Sequence, residues 1–164
     1  MSHGLQRNRA GVVIASTRAA AGLAEDMTGP VIADWLREHG FEPDEPLVVP
    51  DGAAVGAALR ALLQVGCAVV LTSGGTGLTP DDLTPEETLP LLDRPLPGVM
   101  EAIRAAGLAK TPFAALSRGH AGLAGDCLLV NLPGSPKGVM DGLAVLDPLV
   151  THICAQAQGE HHDH

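Results

Sequence analysis

The stretch "CAVVLTSGGTGLTPDDLTPEE", residues 67–87, decides the fold. It opens on a continuous apolar run, places Gly74, Gly75 and Gly77 within four positions, and brings Asp81 and Asp82 just before a helix start. A strand apolar on every residue, rather than on alternate ones, is covered on both faces, as in a parallel sheet between two helical layers. In such sheets ligands bind at the carboxyl ends of the strands, where loops pass into helices. Glycines there let consecutive backbone N–H groups face one concavity, and Ser73 and Thr76 add hydroxyls. The pattern predicts a site for phosphate or another oxyanion. Two familiar phosphate signatures do not fit, because no lysine follows the loop and Pro80 stands where a last glycine would be needed.

Outward from this stretch, "AGVVIAS" (10–16), "EPLVVP" (45–50), "FAAL" (113–116) and "CLLVNL" (127–132) read as further strands. Residues 29–40, 53–66, 85–93, 98–107 and 135–156 carry helical patterns, the first two ending at Gly40 and Gly66. This alternation predicts a three-layer α/β/α sandwich with a mostly parallel central sheet. One domain over residues 10–157 is expected, with flexible residues 1–9 before it and a flexible His-rich tail, 158–164, after it.

In a chain of 164 residues, 46% hydrophobic but with only Trp35, Phe41 and Phe113 as aromatics, aliphatic side chains must fill the core. The formal charge of −9 excludes broad nucleic-acid or anionic-membrane surfaces, which need a field of Lys and Arg. Cys67, Cys127 and Cys154 lack metal or redox spacing and read as buried reduced thiols. With no apolar leader in "MSHGLQRNRAG" and no run long enough to span a membrane, a cytoplasmic location is expected.

Three turns carry candidate chemistry. After Asp81 and Asp82, Thr84 reads as an N-cap, Pro85 as the first helical residue and Glu87 as the reciprocal partner of a capping box. Either aspartate favours a helix N-terminus electrostatically, or one faces the glycine loop and holds Mg²⁺ beside substrate phosphates. In "NLPGSPKG" (131–138), Pro133 and Gly134 turn the chain, Ser135 caps the last helix, and Lys137 adds a charge to an anion-binding helix start. In "VVPDG" (48–52), Asp51 projects from the same edge or makes an ordinary Asp-Gly turn. Asp51 and Asp82 from separate loops form a candidate pair for a magnesium ion and a nucleotide triphosphate. Ser117, Arg118 and His120 are either phosphate contacts or solvated loop residues, and Glu101 sits near a helix start.

"TSGGTGLTPDDLTPEET", "PGVMEAIR", "TPFAALSRGHAG" and "LLVNLPGSPKGVMDGL", in that order, resemble the molybdopterin adenylyltransferase family of molybdenum-cofactor biosynthesis, the Mog/MoaB group. "STRAAAGLAEDMTGPVIADWL" and "VVPDG" extend the resemblance over about residues 10 to 155. It implies a three-layer α/β fold, a homotrimer, and a protein that binds molybdopterin and adenylates it with Mg²⁺-ATP, releasing pyrophosphate; relatives that bind the pterin without adenylating it make a carrier the alternative. The implied catalytic and Mg²⁺-binding residues are Asp51 and Asp82. The implied pterin and phosphate contacts are the loop Ser73, Gly74, Gly75, Thr76 and Gly77, the turn Pro133, Gly134, Ser135 and Lys137, and Glu101 and Ser117. Implied partners are the pterin, the nucleotide and other molybdenum-cofactor biosynthesis proteins. One position departs: the family often has Ser-Asp where this chain has Ser16-Thr17.

Overall fold

The computed structural model describes residues 7–159, and the expectations for the extreme termini, including "HHDH", lie outside the described residues. Along the chain run β1 (Arg9–Ala15), α1 (Thr17–Ala20), α2 (Gly29–Glu38), β2 (Glu42–Pro43), β3 (Leu47–Val49), α3 (Ala53–Gln64) and β4 (Val69–Ser73). They continue as α4 (Thr84–Thr88), β5 (Arg94–Pro95), α5 (Pro97–Leu108), β6 (Ala121–Ala124), β7 (Cys127–Leu132), α6 (Pro136–Leu146) and α7 (Val150–Ala157). Gly40 and Gly66, which end α2 and α3, both take positive φ.

One seven-stranded sheet has the order β2-β1-β4-β7-β6-β5, with β3 also paired to β1. β1 runs parallel to β2, β3 and β4, and β4 parallel to β7, whereas β5 and β6 are antiparallel additions. The near-continuous apolar runs now have their reason, because alternate residues enter two different cores. Val12 and Ile14 of β1, Val69 and Leu71 of β4, and Leu128, Val130 and Leu132 of β7 pack with α2, α5, α6 and α7. Val13, Val70 and Leu129 of the same strands pack against Val55, Leu59 and Leu62 of α3 on the other face. Each such side chain, fully buried, contributes about 1.5–3 kcal/mol.

α2 lies on one face and α3 on the other, and the strands they lead to flank β1 on opposite sides. The chain therefore leaves β1 and β4 toward opposite faces, which makes this the topological switch point where ligands bind in such sheets.

Four expectations are corrected. "FAAL" is not a strand: Pro112–Leu116 forms a 3₁₀ turn, with Pro112 in its first turn and the Thr111 hydroxyl accepting from the Phe113 amide at 3.2 Å. The strand in that region is β6, hidden because "AGLA" is short and carries little apolar bulk. The last helix is not continuous over 135–156: Pro148 has no N–H to extend it, and α6 and α7 meet at 60°. Residues 7–9 and 158 belong to the fold, because Arg9 opens β1 and the Arg7 amide and carbonyl both pair with the Gln158 side chain at 3.1 Å. Arg7 also forms an ion pair with Asp126.

The three thiols are free and buried. Burial drives Cys127 far above the ordinary thiol value and pushes Cys154 up to about 12, which leaves both protonated and unreactive. Among the described residues no single helix is long and apolar enough to cross a membrane.

Candidate active site

The glycine loop is built by close approach. Gly74 takes φ +94°, and a Cβ placed there would stand 2.4 Å from the carbonyl oxygen of Ala15. On its other side the chain reaches Gly134, whose own Cβ would lie 3.3 Å from the Gly74 Cα, so the loops after β4 and β7 touch glycine to glycine. Ser73 fastens the same junction: its hydroxyl donates to the Pro133 carbonyl at 2.8 Å and accepts from Thr28 Oγ1 at 3.2 Å. Ser73 is 1% exposed, which corrects its expected role, since the hydroxyl ties two loops together and is closed to a ligand. The Gly74 amide is likewise occupied, donating to the Leu132 carbonyl at 3.3 Å. The amides of Gly75, Thr76 and Gly77 have no acceptor among the described residues, nor do those of Gly134 and Ser135. Free amide donors gathered in this way are able to hold an oxyanion.

Both aspartates open onto this loop. A Cβ on Gly75 would lie 3.1 Å from Asp51 Oδ1, and a Cβ on Gly77 would lie 2.8 Å from Asp82 Oδ2. Asp51 is aimed by α1: Thr17 donates to Oδ2 from Oγ1 at 3.0 Å and from its amide at 3.4 Å, while the Asp51 amide donates back to Thr17 Oγ1 at 3.1 Å. Thr17 was legible only as a departure from the family pattern, yet it holds this carboxylate. Asp82 curls over its own turn, where Oδ2 accepts from the Thr79 amide at 3.0 Å and the Thr79 hydroxyl at 2.8 Å. Asp81 is exposed, so Asp82 is the one of the pair against the loop.

The Oδ1 atoms of Asp51 and Asp82 have no donor among the described residues. These hard oxygens suit Mg²⁺, which binds through one or two carboxylates together with substrate phosphates. No group of three or more His, Cys, Asp or Glu is gathered among the described residues, so the protein offers no closed metal cage of its own.

Beside the loop lies a cavity of about 1170 Å³, walled by the glycine loop, the turn after β7, α5, α6 and the 3₁₀ turn. Of the expected contacts, Thr76, Gly77, Ser117, Pro133, Ser135 and Lys137 line it. Glu101 does not: it is exposed on α5, away from the cavity wall. Ser135 caps α6 by accepting from the Gly138 amide at 3.0 Å, and Lys137 has no ionic partner among the described residues. Arg104 places Ser117 by donating to the carbonyls of Ser117 at 2.8 Å and Gly119 at 3.0 Å, and the buried Ser117 hydroxyl has no partner among the described residues. Lys110 and Asp141 pair across the rim.

The sequence leaves Arg118 and His120 open between phosphate contact and solvated loop residue, and the structure engages Arg118 with protein partners. Arg118 donates from Nε to the Gly77 carbonyl at 2.8 Å, from Nη2 to the Asp82 carbonyl at 2.6 Å, and through both Nη atoms to the Glu86 carboxylate at 2.8 and 2.9 Å. This fork staples the glycine loop to α4, and its hydrogen bonds hold Glu86 below the usual carboxylate range. The expected capping box is absent: the helix start falls at Leu83, no side chain caps it, and Arg118 and the Thr84 amide secure the turn instead. For His120, burial and then the nearby Arg104 push the imidazole below its ordinary value, so it is neutral at pH 7.

A depressed His value in the folded state means the unfolded chain takes up the proton first, so stability falls as pH drops below about 6.5 through the folded value. We expect the denaturant midpoint to decline between pH 7 and pH 5.5, and to decline less in His120→Gln. Equal declines in the two proteins would remove this assignment.

Beneath the loop, Asn131 is a buried hub that an apolar-run reading passes over. Its Nδ2 donates to the hydroxyls of Thr72 and Thr88, each at 3.0 Å, and its Oδ1 accepts from the His120 amide at 3.0 Å. Every polar atom of this amide is satisfied, as burial demands.

A family model described as a probable molybdopterin binding domain matches residues 11–152. The chain belongs to this family. Within the molybdopterin-binding family it is similar, at 40% identity, to the molybdenum cofactor biosynthesis bifunctional protein of Synechococcus elongatus, over 92% of this chain and 48% of that protein. The chain thus spans about half the length of the bifunctional relatives it matches. It is 34% identical to the molybdopterin adenylyltransferase of Helicobacter pylori, over 90% of this chain and 86% of that one. Among solved structures, the molybdopterin biosynthesis Mog protein from Mycobacterium ulcerans superposes with a TM-score of 0.89 at 50% identity, covering 93% of this chain and 98% of that one. The α/β architecture expected from the sequence is thus the architecture of its relatives.

Proposed function

We propose that this protein adenylates molybdopterin with Mg²⁺-ATP and releases pyrophosphate. The observation that carries the reading is that one loop serves two neighbours: Asp51 and Asp82 lie against Gly75 and Gly77, while Thr76 and Gly77 wall the cavity. In this reading the pterin occupies the cavity, with its phosphate near Lys137, Ser135 and the free loop amides. A terminal phosphate oxygen of the pterin attacks the α-phosphorus of ATP. That new O–P bond forms as the α–β bridging bond breaks and pyrophosphate departs.

Asp51 and Asp82 would hold Mg²⁺, which supplies charge neutralisation for the triphosphate. The chain itself binds and orients the two anions, and no residue becomes covalently attached. Leu78, Phe113 and Leu116 leave apolar surface at the cavity mouth, Phe113 being 74% exposed, which favours closure by further copies in a homotrimer. Buried free thiols favour a cytoplasmic setting. Other molybdenum-cofactor biosynthesis proteins are the expected suppliers and receivers of the pterin.

The test mixes the protein with molybdopterin and Mg²⁺-ATP and follows pyrophosphate, beside calorimetric titration of each ligand. We expect both ligands to bind and pyrophosphate to appear only when both are present. Pterin binding without pyrophosphate would make the protein a carrier.

A further inference from the structure

Resting on the adenylation reading, we propose that Thr84 is a positioning residue of the site, its hydroxyl, unpaired in the free protein, holding the unbonded oxygen of Asp51 when the substrates are bound. Thr84 opens α4 and is 0% exposed. Its amide donates to the Gly75 carbonyl at 3.1 Å and its carbonyl accepts from the Thr88 hydroxyl at 2.8 Å, so its backbone is pinned on both sides. Its own hydroxyl has no partner among the described residues. A buried, unpartnered hydroxyl is unfavourable, and folds retain such groups where they meet something else.

The neighbouring group is evident from one glycine. Thr84 Oγ1 lies 2.2 Å, and Asp51 Oδ1 3.1 Å, from the point where a side chain on Gly75 would begin. A hydroxyl without an acceptor and a carboxylate oxygen without a donor therefore both border the same point beside Gly75, without a hydrogen bond between them. In this proposal the Asp51 carboxylate turns toward Thr84 when the substrates bind, and any side chain at position 75 would crowd both groups. Thr17 already holds Oδ2. With Thr84 on Oδ1 the carboxylate plane is held from two loops. The ionisable side chains on the surrounding elements are Arg18 of α1, Arg60 of α3, Asp81 and Asp82 before α4, and Glu86 and Glu87 within it.

Thr84→Val keeps the shape of the side chain and removes the hydroxyl. We expect its kcat for pyrophosphate release to fall about 10-fold, the scale for a group that orients a charged ligand. KM for molybdopterin should stay within about twofold, since residue 84 is outside the cavity wall. The melting temperature of the substrate-free protein should rise by about 2–4 °C, because there the hydroxyl is unpaired. Thr84→Ser should recover turnover to within about twofold of wild type. Higher stability with lower turnover separates positioning from a scaffold role, in which both fall together. Wild-type turnover in Thr84→Val overturns the proposal, and so does a parallel loss of stability and turnover. A wild-type protein that releases no pyrophosphate removes the adenylation reading, and this role of Thr84 with it.

Discussion

Asparagine in place of Asp82 or Asp51 is expected to slow pyrophosphate release by about 10²- to 10³-fold, the scale for removing one preorganised electrostatic partner of a transition state. The substitution isolates charge from structure. In Asp82→Asn the side-chain oxygen can still accept from the amide and hydroxyl of Thr79, and in Asp51→Asn it can still accept from Thr17. The loops therefore keep their bonds and lose one negative charge at the glycine turn. Molybdopterin affinity, set by the cavity walls, should change less than about threefold on calorimetric titration. Asp81→Asn, at an exposed carboxylate off the loop, is the control and should retain turnover within about twofold. Equal pyrophosphate release by Asp82→Asn, Asp51→Asn and wild type would withdraw the catalytic assignment of both aspartates.

Alanine at Gly74 should be the most damaging single methyl in the molecule's ligand edge. The backbone there has φ +94°, a conformation that an L side chain adopts only with strain, and the new methyl would lie 2.4 Å from the Ala15 carbonyl oxygen. Ala15 is buried in β1 and cannot retreat without moving the sheet. We expect a loss of about 3–5 kcal/mol, against a total stability of roughly 5–15 kcal/mol for a domain, and a melting temperature lower by about 10 °C. Gly98→Ala is the matched comparison: nothing lies within 4 Å of its would-be Cβ, so in α5 the change should be neutral or stabilise by up to about 1 kcal/mol. Indistinguishable melting of Gly74→Ala and wild type would show that the loop is looser than its contacts imply.

The layers and the position of the candidate site's glycine loop were legible because they follow from local pattern. The apolar runs at 10–16, 67–72 and 127–132 are continuous since each strand feeds two cores, and the glycines at 74, 75 and 77 are needed for backbone approach that any side chain would block. What could not be read was how polar groups are shared across distance. Arg118 is cationic in any reading of "LSRGHAG", but that its fork closes on Gly77, Asp82 and Glu86 depends on a strand, β6, too slight to recognise. Ser73 suits an anion site by type, and only the fold shows its hydroxyl given to Pro133. Thr17 and Thr84 looked like a loop residue and a cap; their relation to Asp51 arises from three loops meeting at the switch point. The break before α7 was signalled by Pro148, and the apolar pattern running through it concealed the stop.

The Arg118 and Pro133 ties give the protein an order of assembly. Gly77 is held by a guanidinium 41 positions further along the chain, and Ser73 by a carbonyl 60 positions further along. A nascent chain that has emerged only through α4 carries Gly74, Gly75, Gly77 and both aspartates, yet lacks the groups that set their geometry. Competence to hold an anion therefore arrives with the β6–β7 hairpin, in the last quarter of synthesis, and a ribosome-stalled chain ending before residue 118 should be unable to engage either substrate.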